Sequence, residues 1–295
     1  MFSVPGVEKL RVTSRDGAEL TAYVAGQSGP VLVLASGLGG PFSAWRYQIA
    51  HFSKRFRILS WDYRGLFESR LPAAHSPVDV ATQAADLDVL LDRIGAERAV
   101  VVGWSMGVQV ALEYHASYSH RTSHLVLING TAGRPFASLP LPGTSVLMPQ
   151  LLRRAQRFGS TGTALLKRAA EARTGISVLQ TLSSFATELA PDVAAELFGE
   201  FSQIDLGIYL RTLQALGEHD RHDLLRQVNV PSLVIAGARD RFTPMRLSEL
   251  MAREIRNAEL VVVPKGTHYS ATEFPDFVNR HIEAFLARNG HGVAA

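Results

Sequence analysis

The sequence predicts an α/β fold built on a mostly parallel sheet, and three observations carry that expectation. Short, unbroken apolar runs recur through the chain. Segments with a single apolar helical face lie between them. One long stretch without any strand signature interrupts the alternation before it resumes. Alternating β and α units of this kind fold as a sheet with helices on both faces.

The first units are residues 7–13 and 18–25, two short alternating runs separated by Ser14-Arg15-Asp16-Gly17. An Asp-Gly turn between such runs predicts a β-hairpin. Residues 31–35, Val-Leu-Val-Leu-Ala, are apolar throughout, as in a strand covered on both faces. Residues 56–61, 99–102, 125–128, 233–236 and 260–263 repeat the signature, giving eight strands. Within residues 78–94, Val80, Ala84, Leu87, Leu90, Leu91 and Ile94 recur at three- and four-residue spacings, and Gly95 follows as a stop. Residues 106–116 and 274–287 read as further helices.

Between residues 133 and 228 the strand signature vanishes. Pro135, Pro140, Pro142 and Pro149 crowd its beginning, and helical patterns cover 150–158, 163–173 and 193–201. The expected organisation is a core domain of residues 1–132 and 229–295, with a helical cap of residues 133–228 inserted after the sixth strand.

Composition narrows the function classes. Of 295 residues, 46% are apolar and 19% charged, enough to bury a substantial core and too little charge for disorder. The net charge of +3 is spread along the chain, which argues against a nucleic-acid binder. The basic residues between Arg134 and Arg173 are read as solvated helix faces. The chain has no cysteine, which excludes disulfides, thiolate zinc sites and a cysteine nucleophile. The first ten residues lack a signal-peptide pattern, and no apolar run approaches the roughly 20 residues of a membrane span. A cytoplasmic protein without an integral membrane segment is expected.

The chemistry is concentrated at Gly103-Trp104-Ser105-Met106-Gly107, between the strand at 99–102 and the helix beginning near Met106. A serine on such a tight strand-to-helix turn exposes its oxygen above the carboxyl edge of the sheet. The helix N-terminus beneath it favours negative charge developing in acyl transfer. Serine needs a base, and the base needs an orienting carboxylate. His268 follows the last strand, in the kind of loop where open α/β sheets place their sites. Asp240 follows the strand at 233–236, whereas the competing position after residues 125–128 holds Asn129-Gly130-Thr131 and no acid. The order Ser105, Asp240, His268 results. His51, His75, His115, His120 and His124 are read as surface residues, and His219 and His222 form a His-x-x-His pair too poor in ligands for a metal site.

An oxyanion site needs two convergent backbone N–H groups. Met106 supplies one, and Leu38, in Ser36-Gly37-Leu38-Gly39-Gly40, is the candidate for the other. Gly37 and Trp104 are expected to contact substrate.

On these motifs the chain resembles the α/β-hydrolase superfamily, in its lid-bearing esterase, lipase and carbon–carbon hydrolase branch. Trp61-Asp62-Tyr63-Arg64-Gly65-Leu66-Phe67-Glu68-Ser69 resembles that family's Asp-x-Arg-Gly-x-Gly-x-Ser segment, with Phe67 in place of a glycine. Ser36 stands where the family usually has histidine. The resemblance implies cleavage of a small to medium acyl ester or monoacylglycerol-like substrate through an acyl-enzyme on Ser105, with no metal and no organic cofactor. Carbon–carbon bond hydrolysis of a ring-cleavage product and a non-catalytic binding role are the alternatives. The expected partner is a small-molecule ester and not a nucleic acid, and the expected state a monomer or homodimer. Leu139, Leu141, Val146, Leu147, Met148, Leu151 and Leu152 are candidates for an acyl pocket, though packing of the cap onto the core is the favoured reading of them.

Overall fold

The computed structural model describes residues 6–138 and 188–291, together with Thr161 and Ala164. Its centre is one sheet of eight strands: β1 (Glu8–Thr13), β2 (Glu19–Ala25), β3 (Val31–Ala35), β4 (Arg57–Trp61), β5 (Ala99–Trp104), β6 (Thr122–Ile128), β7 (Ser232–Gly237) and β8 (Ala258–Val263). They lie in the order β1-β2-β4-β3-β5-β6-β7-β8. The hairpin predicted at the start is present, with Val12 opposite Leu20 and β2 antiparallel to β4. The other strand pairs are parallel.

The described helices are α1 (Arg46–Phe52), α2 (Val80–Arg93), α3 (Met106–Ser117), α4 (Pro191–Phe201), α5 (Leu206–Glu218), α6 (Met245–Glu254), α7 (Ser270–Glu273) and α8 (Pro275–Leu286). None is long and apolar enough to cross a membrane.

The period of two in the strands divides the apolar residues between two cores. Val31, Val33 and Ala35 of β3 join Leu87 and Leu91 of α2 and Val108 and Leu112 of α3. Leu32 and Leu34 join Ile49 and Phe52 of α1 and Ile282 and Phe285 of α8 on the opposite face. Leu32 and Leu34 are each 1% exposed. Truncating either to alanine would cost about 2–5 kcal/mol. Asp79 caps α2 by accepting from the Thr82 N–H at 2.8 Å, and Gly95 closes the helix end at φ +66°.

Three expectations are corrected. The last strand reads in sequence like a covered strand, but β8 is the sheet edge, with Glu259 and Leu260 exposed. His115 and His124 are not surface residues: they lie on α3 and β6 and are 5% and 6% exposed. Burial pushes the His115 imidazole below its ordinary value. The final helix begins at Pro275, after the short turn of α7.

Between β6 and β7 the described chain supplies α4 and α5, flanked by 3-10 turns at Pro135–Ser138 and His222–Gln227. The helices expected at 150–158 and 163–173, and the apolar residues from Leu139 to Leu152, lie outside the described residues. Polar contacts tie α4 and α5 to loops at the carboxyl edge of the sheet. Ser43 Oγ donates to Glu200 at 2.7 Å, and Arg46 pairs with Glu196 at 2.8 Å. Arg211 donates to the carbonyls of Ala74 and Ser76.

Candidate active site

Ser105 sits between β5 and α3 with φ +56° and ψ −115°. Such a backbone costs an L-residue about 1–3 kcal/mol and persists only where its surroundings impose it. Here they do. A side-chain carbon at Gly103 would fall 2.1 Å from the Gly107 carbonyl oxygen, and one at Gly107 would fall 2.0 Å from that of Ala35. Only glycine lets the strand, the turn and the helix approach so closely. The Ser105 N–H donates to Ile128 O at 3.0 Å, which docks the turn on the end of β6.

The side chain of Ser105 meets His268, whose loop leaves β8: Nε2 lies 2.9 Å from Oγ. On the other side of the ring, Nδ1 lies 2.8 Å from Asp240 Oδ2, in the loop after β7. A carboxylate only accepts, so in the neutral imidazole Nδ1 carries the hydrogen and Nε2 accepts from the serine hydroxyl. The structure therefore brings three residues, 163 and 28 positions apart, into one hydrogen-bonded chain.

Asp240 is 7% exposed, yet it is richly solvated by protein. Oδ1 accepts from the N–H groups of Phe242 and Thr243 at 2.8 and 2.9 Å. Oδ2 accepts from Thr243 Oγ1 at 2.7 Å and Asn129 Nδ2 at 2.9 Å, besides His268. Burial alone would raise its pKa. The His268 charge and hydrogen bond, with the Thr243 donors, outweigh burial and hold the carboxyl below its ordinary range.

Gly37 lies against Ser105: a side-chain carbon there would come 3.2 Å from Ser105 Cβ. This brings the Ser36–Gly40 loop, with Leu38, alongside the serine. Met106 is the first residue of α3. Trp104 is placed differently from its expected role at the substrate. Its indole is 7% exposed, stands edge-on to Trp45, and donates from Nε1 to His268 O at 2.7 Å. The side chain is thereby used on the histidine loop.

The departures from the family pattern also have physical consequences. Ser36 Oγ accepts from Trp45 Nε1 at 2.9 Å, and Ser36 O accepts from Tyr63 at 2.7 Å, so the loop is held by its neighbours. Phe67 keeps φ +49°, a left-handed conformation that glycine adopts more readily.

Beside the Ser36–Gly40 loop, the Phe201 and Tyr209 rings of α4 and α5 meet edge to face at 5.3 Å and both close on Gly39. Burial pushes the Tyr209 phenol up to about 12. The Phe242 ring stands 5.1 Å from that of His268.

Asn129, marked in the sequence only by the absence of an acid at that position, is buried against Asp240. His219 and His222 do not converge: His219 meets Gln109 and Glu113 of α3, while His222 turns to Asp220. Among the described residues no group of three or more His, Asp or Glu side chains is placed to hold a metal ion.

Comparison with known proteins places this geometry. The model of the alpha/beta hydrolase fold family matches residues 30–275. The chain is 25% identical over 277 residues to the 3-oxoadipate enol-lactonase 2 of Acinetobacter baylyi, covering 94% of this chain and 96% of that one. It is 27% identical over 280 residues to a 2-hydroxy-6-oxononadienedioate/2-hydroxy-6-oxononatrienedioate hydrolase of Burkholderia vietnamiensis, covering 92% and 93%. The crystal structure of a hydrolase from Pseudomonas aeruginosa PA01 superposes with a TM-score of 0.76 at 25% identity, covering 96% of this chain and 99% of that one. The chain is a hydrolase of the α/β-hydrolase fold family.

Proposed function

We propose that this chain is a serine hydrolase of carboxylic esters, acting through an acyl-enzyme on Ser105. The observation that carries the proposal is the continuous chain from Ser105 Oγ through His268 to the buried Asp240 carboxylate. In this mechanism His268 Nε2 takes the serine proton as Oγ attacks the acyl carbonyl. The N–H groups of Leu38 and Met106 receive the oxyanion. His268 then delivers the proton to the departing alcohol as the ester C–O bond breaks. Water, deprotonated by the same imidazole, attacks the acyl-enzyme and releases the acid with Ser105 restored.

In this reading residues 133–228 form a cap on a core of residues 1–132 and 229–295, and the Phe201 and Tyr209 rings beside Gly39, with the Phe242 ring beside His268, favour an apolar acyl group of small to medium size. Gly37 allows the substrate to approach the backbone, and Trp104 serves it through the histidine loop. An enol-lactone is a cyclic ester, so the enol-lactonase relative fits the same chemistry. The relative named for a 2-hydroxy-6-oxo dienedioate substrate supports a second reading, carbon–carbon bond cleavage by the same three residues.

A fluorophosphonate probe and a panel of p-nitrophenyl esters of rising chain length test the proposal. Ser105 should carry the adduct, and Ser105→Ala should lose ester turnover by several orders of magnitude. A wild-type chain that neither labels at Ser105 nor hydrolyses any ester would overturn it. Turnover of a dienol ring-cleavage product with ester turnover absent would select the second reading.

A further inference from the structure

Asn129 directly follows β6 and is 1% exposed. Its backbone is left-handed, at φ +47°, and its N–H donates to Ile235 O of β7 at 2.9 Å. Its side-chain Nδ2 faces three oxygens: Asp240 Oδ2 at 2.9 Å, Thr267 O at 2.5 Å and Ser270 Oγ at 3.2 Å. The first belongs to the loop after β7. The other two flank His268 in the loop after β8. The Ser270 hydroxyl donates to Thr267 O at 2.6 Å and still accepts from Nδ2 at 3.2 Å, while the two shorter contacts of Nδ2 are to the carboxylate and the carbonyl.

The other end of the amide makes the point sharper. Among the described residues, Asn129 Oδ1 is buried and has no hydrogen-bond partner. Leaving such an atom unpaired costs about 1–3 kcal/mol. The polar work of this side chain is therefore done by its donor end. A carboxylate in its place would set a second acceptor against Asp240 Oδ2 and Thr267 O, so the position calls for a donor.

We propose that Asn129 is a positioning residue that locks the Asp240 carboxylate to the backbone of the His268 loop. It rests on the proposed roles of Ser105, His268 and Asp240. Asn129 donates to the same Oδ2 that accepts from His268 Nδ1, and to the carbonyl of the residue preceding His268. One amide therefore fixes both partners of the acid–base contact. Without it the two loops keep their backbone bonds, Ala238 N–H to Val263 O at 3.0 Å and Arg239 N–H to Gly266 O at 2.9 Å, but lose the side-chain bridge from the Asp240 carboxylate to the residue before His268. The titratable groups facing it are Asp240 and His268. Glu273 acts one contact further out, accepting from the Thr267 N–H at 2.8 Å and its hydroxyl at 2.7 Å.

The test uses the full chain carrying Asn129→Gly or Asn129→Asp. Glycine accepts the left-handed backbone and deletes only the amide, while aspartate keeps the shape. Two readouts are taken: kcat and KM on p-nitrophenyl butyrate across pH, and the far-downfield proton resonance of His268 Nδ1–H, which needs no turnover. Asn129→Gly should lower kcat about tenfold with KM within about twofold, and shift or broaden the resonance. Asn129→Asp, whose carboxyl donates only while protonated, should have its optimum displaced to lower pH than wild type's and should gain an alkaline loss absent from wild type. Wild-type kcat and an unmoved resonance in Asn129→Gly, or a wild-type pH profile in Asn129→Asp, would overturn the proposal. If wild type hydrolyses no ester while the variants still displace the resonance, the proposed activity fails and the positioning role stands.

Discussion

The Trp104 indole N–H donates to the His268 carbonyl at 2.7 Å, so the residue before the serine holds the loop that carries the imidazole. Trp104→Phe keeps most of the buried ring and deletes that bond. A hydrogen bond of this kind is worth about 0.5–1.5 kcal/mol. Thermal unfolding should show a fall in Tm of a few degrees. If the proposed ester hydrolysis holds, kcat/KM should fall about tenfold, because the His268 loop loses this support.

Glu113 predicts an acid-side effect. It lies on α3 and accepts from His219 Nε2 at 2.9 Å and from Arg221 at 2.6 and 3.0 Å. The His219 hydrogen bond and the Arg221 pair, against opposing burial, lower its carboxyl to about 2. A carboxyl depressed on folding contributes stability that is complete above its unfolded value and disappears as pH falls through the folded one. Chemical denaturation of wild type should therefore weaken between about pH 4.5 and pH 2. Glu113→Gln should lack that component, and should be less stable at pH 7 by about 1.5–3 kcal/mol.

Asp62 carries the opposite sign. Burial pushes its carboxyl up to about 7, although the Glu68 N–H and the Tyr23 hydroxyl donate to it. Between its ordinary value and about 7 the unfolded chain ionises while the folded one keeps its proton, so stability declines as pH rises. Asp62→Asn removes the titration and can still accept both hydrogen bonds. Urea midpoints should show the variant gaining on wild type from pH 5 to pH 8.

Phe67 separates strain from packing. Its φ of +49° is costly for a residue with a side chain, while its ring packs on the core. Phe67→Ala loses the ring and keeps the strain, whereas Phe67→Gly loses both. Equilibrium unfolding should find the glycine variant the more stable of the two, by about 1 kcal/mol.

The eight strands were legible because a strand buried on both faces must be apolar without interruption, as residues 31–35 are. The serine turn was legible because Gly103 and Gly107 are the only residues its close approaches permit. Asp240 and His268 stood out by falling just beyond strands. Asn129 carries no such mark. Its significance arises where the ends of β6, β7 and β8 converge, and neutral amides have no sequence pattern for bridging two loops. The exposure of β8 was hidden because a strand at the sheet edge has the same apolar residues as a central one. The Trp104 contact joins positions 164 apart, and the His219 contact with Glu113 joins positions 106 apart.

Ser105, Asn129, Asp240 and the loop bearing His268 hang from four successive neighbours in the sheet, β5 to β8. Their mutual spacing is set by the ladder between strands, close to 4.8 Å per step. The number of residues threaded from one strand to the next does not enter it. More than a hundred residues separate Ile128 from Ser232, while Ile128 and Ile235 remain paired side by side. The register of β6 against β7 is thus independent of the length of chain between them, and it is the strand ends that hold Ser105, Asn129, Asp240 and the His268 loop at their mutual spacing.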